Sequence, residues 1–138
     1  MKKVLIDTDV ILDLFFDRKP FSEDSAKILS LCESNKIKGF VTSIVLSNIH
    51  YLLRKTATNA KVIEKLKLLL KIIDVIITDK KAVEDALNSE FKDFEDALQN
   101  FSAQNTNEIR IIITRKTKDY KTSKLSIMNP ETYLKTIE

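Results

Sequence analysis

Four aspartates, Asp7, Asp9, Asp96 and Asp119, carry the chemistry this sequence offers, each at the edge of an apolar segment. Carboxylates gathered at one point repel and cannot all stay ionised without a counter-charge, and a divalent cation is the usual remedy. The first pair says most. Val4-Leu5-Ile6 runs straight into Asp7-Thr8-Asp9. A short β-rich run ending in acids reads as a buried strand that delivers charge to an open crevice. Parallel sheets bind ligands at that end. Taken singly, each acid also has an ordinary reading. Asp7 caps a helix, Asp9 favours that helix's positive end, and Asp93-Phe94-Glu95-Asp96 resembles a capping box. Asp119 then sits in a lysine-rich turn. Taken together, they make a candidate metal site.

The elements that must position these acids follow from the apolar periodicity. Val4–Ile6 reads as a first strand and Asp9–Phe16 as a short helix. Pro20-Phe21-Ser22 opens a second helix with Ser22 as its N-cap. Gly39, the only glycine, precedes a second strand at Phe40-Val41, and Thr42 or Ser43 caps a helix to about Lys55. Ala60–Ile72 repeats the helical period. Val75–Ile77 is a third strand, and a helix capped at Thr78 or Asp79 runs to about Asn88. Phe94, Leu98 and Phe101 mark another helix, Ile109–Ile113 the clearest strand and Leu125–Met128 a last short one. Asn129-Pro130-Glu131 starts a terminal helix with a cap and a first-turn proline. Strands alternating with helices imply an α/β fold with a mostly parallel central sheet covered on both faces.

Composition narrows the class. The 138 residues suit one domain spanning 1–138, and a hydrophobic fraction of 43% supports a folded core. No apolar run approaches a membrane span, and the three apolar residues before Asp7 are too few for a secretion signal. The single cysteine, Cys32, excludes an internal disulfide framework, fits a reducing cytoplasm and sits among apolar neighbours as a core residue. A net charge of +3 says little by itself, but five basic residues face one acid between Arg115 and Lys124. That stretch reads as a solvated loop or as a lip that contacts phosphate.

The ordered motifs resemble the PIN-domain family, the fold of VapC-type toxins of bacterial toxin–antitoxin pairs. The likeness rests on Val4-Leu5-Ile6-Asp7-Thr8-Asp9-Val10-Ile11-Leu12-Asp13, on Val41 through Ile49, on Asp93-Phe94-Glu95-Asp96-Ala97-Leu98 and on Ile111 through Tyr120. Ile127 through Leu134 closes the set. The resemblance implies a three-layer α/β/α domain that hydrolyses RNA with Mg²⁺ or Mn²⁺. It also implies a small antitoxin partner, a homodimer and a cytoplasmic location. By position, Asp7 and Asp96 become primary metal ligands, Asp119 a weaker or water-mediated one, and Asp9 an additional carboxylate. Asp7, Asp96, Asp119 and Asn48 form the implied catalytic set, with Thr114, Arg115, Lys116 and Lys118 supporting it or contacting RNA.

Three departures stand out. Asn48 occupies the place of a common catalytic glutamate, Asp9 that of a usual asparagine, and Lys116 that of an asparagine or acid. Asn48 offers an amide oxygen but no charge, which Asp9 restores near Asp7. Lys116 either contacts phosphate or pairs with an acid and weakens metal binding. Two alternatives stay open: a PIN scaffold that binds RNA or protein without cutting, and a haloacid-dehalogenase-like phosphatase using Asp7-Thr8-Asp9. Short length, one glycine and no later Gly-Asp motif speak against the phosphatase. His50, Tyr51, Arg18, Lys19, Arg54 and Lys55 are secondary candidates for the cleft or its rim. Phe15, Phe16 and Phe21 belong either to a dimer face or to the core.

Overall fold

The computed structural model describes residues 1–137. Five strands form one sheet: β1 (Lys2–Ile6), β2 (Ile37–Thr42), β3 (Asp74–Ile76), β4 (Ile109–Ile113) and β5 (Ser126–Met128). Their spatial order is β3-β2-β1-β4-β5, and every pairing is parallel. The expected sheet is thus wholly parallel rather than mostly so. Side-chain alternation along β1 explains the layers. Val4 and Ile6 enter a core shared with α1 (Thr8–Phe15), α2 (Ser22–Glu33), α3 (Ser43–Leu53), α4 (Asn59–Leu69) and α7 (Pro130–Thr136). Leu5 points the other way, toward the layer containing α6 (Phe94–Gln104), against which α5 (Lys80–Leu87) packs. An irregularity between Lys3 and Val4 shifts the register against β4, so Ile109 and Ile112 share the second layer.

Most caps fall where side-chain chemistry puts them. Thr42 accepts from the Val45 N–H, Asp79 from Ala82, Asp93 from Asp96 and Asn129 from Thr132. Ser22 is the exception. Phe21 occupies the N-cap of α2, and the Arg18 carbonyl accepts from the Phe21 and Ser22 N–H groups at 2.9 and 2.8 Å. A backbone carbonyl has taken over the capping, and the Ser22 hydroxyl donates to Asp17 instead. Phe15 and Phe16 are half-buried and pack against the first core, while Phe21 stays partly exposed.

Gly39 lies where α2 presses on β2. A Cβ there would stand 2.7 Å from Cys32 Sγ and 3.1 Å from Ile6 Cδ1. The glycine therefore sets the helix-to-sheet spacing. Cys32 is buried, and that burial pushes its thiol up to about 11. Among the described residues no helix is long and apolar enough to cross a membrane.

Candidate active site

Strand order creates the site. β1 has β2 on one side and β4 on the other, so the chain leaves the centre of the sheet in opposite directions. A crevice opens at the carboxyl ends of β1 and β4, the switch point where open parallel sheets hold ligands. The Asp7 N–H still reaches the Ile113 carbonyl at 3.0 Å, which fastens the two strand ends together. Above them lies a cavity of about 430 Å³, lined by Asp7, Asp9, Arg18, Asn48, Tyr51, Glu95, Asp96, Gln99 and Lys116 together with Thr8, Leu12 and Leu52.

Asp7 is the fixed point of this cavity. It is almost fully buried, and Oδ1 accepts from the Thr8 N–H at 2.7 Å and Gln99 Nε2 at 2.8 Å. Oδ2 accepts from the buried Thr114 hydroxyl at 2.8 Å. Asp7 therefore caps α1 and faces the crevice with the same carboxylate. Asp9, one residue into α1, accepts the Arg115 backbone N–H at 3.0 Å through Oδ2. Burial and the charge on Asp7 raise the Asp9 carboxyl to about 6.

Asp96 comes from the first turn of α6, where the Asp93 cap fixes its backbone. Its Oδ1 accepts from Lys116 Nζ at 2.8 Å and from the Tyr120 hydroxyl at 3.3 Å. Burial lifts its carboxyl above the ordinary range despite that ammonium. Lys116 Nζ also stands 3.9 Å from Asp7 Oδ2, so one ammonium spans both acids. Burial alone would push that ammonium down, but the charges on Asp7 and Asp96 outweigh it and hold it above its usual value. Tyr120 is buried, and burial beside Asp7 and Asp96 keeps its phenol protonated. Three buried oxygens on residues lining this cavity remain without a protein partner: Asp9 Oδ1, Asp96 Oδ2 and Gln99 Oε1.

The fold brings Asp7, Asp9 and Asp96 to one cavity, with Asn48 at its wall, where its amide donates to Glu95 at 3.0 Å. Thr114 lies against Asp7, as a supporting hydroxyl should. Asp119 and Lys118 do not join them. Both line a separate hollow with Asp93 and Lys121. The cause is the 3-10 turn Thr117–Tyr120, which sends Tyr120 inward and leaves Asp119 exposed. Arg115 does not line the cavity either. Its guanidinium is committed to Asp13 at 2.6 and 2.9 Å and lies over the Phe21 ring. His50 bonds to Asn59, away from the acids.

Gln99 and Glu95 line the cavity and Tyr120 bonds to Asp96 without a role assigned from the sequence, and Asp13 holds Arg115 outside the cavity. Gln99 stands three residues after Asp96 and hence on the same helix face, a signal present in the sequence. Tyr120 ends a quoted motif without having been given a role. Glu95 lies inside the capping-box stretch with no role of its own in the sequence, yet it brings a carboxylate beside the uncharged Asn48. Asp13 lies one turn beyond Asp9.

Comparison with known proteins settles the family. The PIN domain profile matches residues 3–118. The chain belongs to the PIN-domain family. This PIN domain is 29% identical over 103 residues to Ribonuclease VapC1 of Aquifex aeolicus (strain VF5), a match covering 71% of each chain. Its fold resembles a chain of the toxin-antitoxin complex from Klebsiella pneumoniae, with TM-score 0.69 and 22% identity over 92% of this chain and 97% of that one. A chain of VapBC-1 from nontypeable Haemophilus influenzae gives TM-score 0.69 at 14% identity, over 94% of this chain and 98% of that one. A chain of VapBC2 from Rickettsia felis, solved with a DNA fragment from the VapBC2 promoter, gives 0.68 at 17%, over 92% and 98%. At such identities the solved structures speak for the fold alone. The PIN assignment displaces the haloacid-dehalogenase-like alternative.

Proposed function

We propose that this PIN domain is an endoribonuclease that hydrolyses RNA phosphodiesters with Mg²⁺ or Mn²⁺, as the toxin of a cytoplasmic type II toxin–antitoxin pair. The observation that carries the reading is the trio of unpartnered buried oxygens, Asp9 Oδ1, Asp96 Oδ2 and Gln99 Oε1, at the switch-point crevice. A buried acceptor left unmet costs about 1–3 kcal/mol, so three in one region call for a cation or water. Hard oxygen donors on a carboxylate floor suit Mg²⁺ or Mn²⁺, and Mg²⁺ keeps several waters of its own.

Asp7, Asp9 and Asp96 would hold the ion, with Gln99 Oε1 and Asn48 beside it. Asp119 takes no part in this reading. Among the described residues no three acidic, histidine or cysteine side chains converge as a ready-made cage. A site completed by water and substrate phosphate agrees with that. The chemistry a bound ion supplies here is activation of water and neutralisation of charge at the attacked phosphate. The chain's own residues orient and exclude: Thr114, Gln99 and the Thr8 N–H stop Asp7 from rotating, and Tyr120 closes the floor beneath Asp96.

RNA has a path to this floor. Arg18 and Lys116 stand on the cavity lining, and Tyr51 lines both this cavity and a neighbouring hollow with Arg54 and Lys55. Tyr51 is 65% exposed, and the Lys55 ammonium lies 5.0 Å from its ring centre. An exposed aromatic beside cations suits a stacked base flanked by phosphates. The similarity to Ribonuclease VapC1 supports RNA as substrate, and the toxin-antitoxin likenesses support a small protein inhibitor. A homodimer belongs to the same proposal.

The test is cleavage of end-labelled structured and single-stranded RNAs with Mn²⁺, Mg²⁺ or EDTA, beside an Asp7→Asn control. Metal-dependent cutting that disappears in the control is expected. The ammonium of Lys116 in the pocket and the neutral Asn48 favour a second reading, a PIN scaffold that binds without cutting. RNA binding that persists in EDTA, with no cleavage in Mn²⁺, would select it.

A further inference from the structure

The carboxylate pocket already holds a positive charge of its own. Asp7, just past the end of β1, and Asp96, in α6, are 1% and 2% exposed, and both are approached by one cation, the Lys116 ammonium. The neighbouring Arg115 is spent on Asp13, and Lys118 and Lys121 line a separate hollow. Lys116 is placed by the fold. Its backbone N–H donates to the Thr114 hydroxyl at 3.0 Å, and that same hydroxyl donates to Asp7. The loop leaving β4 is thereby pinned to the floor it serves. Yet the Lys116 side chain is 42% exposed, and its ammonium is retained by a single hydrogen bond to Asp96 and by the charge of Asp7.

We propose that Lys116 is the resident cation of this pocket, standing between Asp7 and Asp96 and competing with a divalent ion for them. The inference rests on reading the pocket as a metal site and adds what governs its occupancy. Two buried carboxylates from different elements need a counter-charge whether or not metal is present. A lysine is suited to provide it reversibly: it is a point charge on a flexible stem, whereas the fork of an arginine locks its partner in two directions. Entry of a divalent ion at Asp7 and Asp96 then requires the ammonium to swing toward solvent, along the route its exposed stem already follows. The unpartnered oxygens of Asp96, Asp9 and Gln99 fit the same account. One of the three donors of the ammonium is spent on Asp96 Oδ1, which leaves two for a floor with three acceptors unmet.

The competition predicts a crossing pattern that a surface ion pair would not give. Lys116→Met, which keeps length and removes charge, is compared with the native chain and with Lys116→Arg. Mn²⁺ binding is followed by the electron paramagnetic resonance signal of the free ion, and thermal unfolding is recorded in EDTA and in Mn²⁺. Lys116→Met should bind Mn²⁺ about tenfold tighter or more than the native chain, equivalent to roughly 1.4 kcal/mol. In EDTA it should melt below the native chain, and Mn²⁺ should close that gap. Lys116→Arg should bind Mn²⁺ no more tightly than the native chain.

Equal Mn²⁺ affinity in Lys116→Met and the native chain would overturn the proposal. So would equal melting of those two in EDTA, or tight binding by Lys116→Arg, which would point to bulk rather than charge. None of these readouts requires RNA to be cut, so a failed nuclease reading and a failed competition are told apart.

Discussion

Two adjacent residues of one loop, Arg115 and Lys116, each meet buried carboxylate, and they meet it differently. Arg115 grips Asp13 with two nitrogens at 2.6 and 2.9 Å, and Arg18 adds a distant contact at 3.5 Å. Asp13 is fully buried and both its oxygens are satisfied. On the other side of the loop, Lys116 reaches Asp96 through one bond, while Asp96 Oδ2 stays unmet. The first arrangement is closed and ties α1 to the end of β4. The second is open. The contrast is in how each acid meets its cation: both oxygens of Asp13 are met, and two of those contacts come from one arginine fork, whereas Asp96 meets a single lysine bond and keeps one oxygen to spare.

The sharpest way to break this contrast is Asp7→Asn, which strikes the open side at its anchor. RNA cleavage in Mn²⁺ should fall by about 100-fold or more, measured as a single-turnover rate. A variant cutting at the native rate would end the assignment of Asp7. The closed side is tested by Arg115→Met. Asp13 would then be left in the core with only Arg18 nearby, which costs about 3–5 kcal/mol in urea denaturation. If stability hardly moved, the Asp13 pair would not be structural.

Smaller effects sharpen the same comparison. Tyr51→Ala lies outside both pairs, so stability should hold while RNA binding weakens by about 1–3 kcal/mol for a lost stack. That change would be read as a raised KM with kcat retained. Cys32 offers the limiting case, a buried group that stays uncharged. Its thiol is raised from 9.0 to about 11 by burial, so its contribution to stability is whole below pH 9 and is lost as pH rises through 11. Iodoacetamide at pH 8.5 should therefore label the native protein far more slowly than the urea-unfolded chain. Equal labelling rates would contradict the burial.

Much of this was legible in the residues. Apolar runs gave β1 and β4, and acids at their ends and at the start of α6 placed Asp7, Asp9 and Asp96 near one sheet edge. Periodicity works there because strands and helices repeat. It fails in the loop after β4. Whether Lys116, Asp119 or Tyr120 turns inward depends on a single 3-10 turn with no pattern to extrapolate. Gln99 escaped for another reason: a glutamine on a helix reads as a solvent face unless the opposite wall is known. Asp13 and Arg115 are 102 positions apart, and nothing local in either announces the other.

The parts of the pocket differ in what must move. Asp7 is held by its cap, its glutamine and its threonine, so the floor arrives with folding and needs no later adjustment. Lys116 is a partly exposed side chain, and rotations of that kind take picoseconds to nanoseconds. Filling the pocket therefore asks for one rapid rotation rather than a rearrangement of domains. Were the proposed Mg²⁺ to enter, the slow shedding of its own water, rather than any motion of the protein, would set the pace.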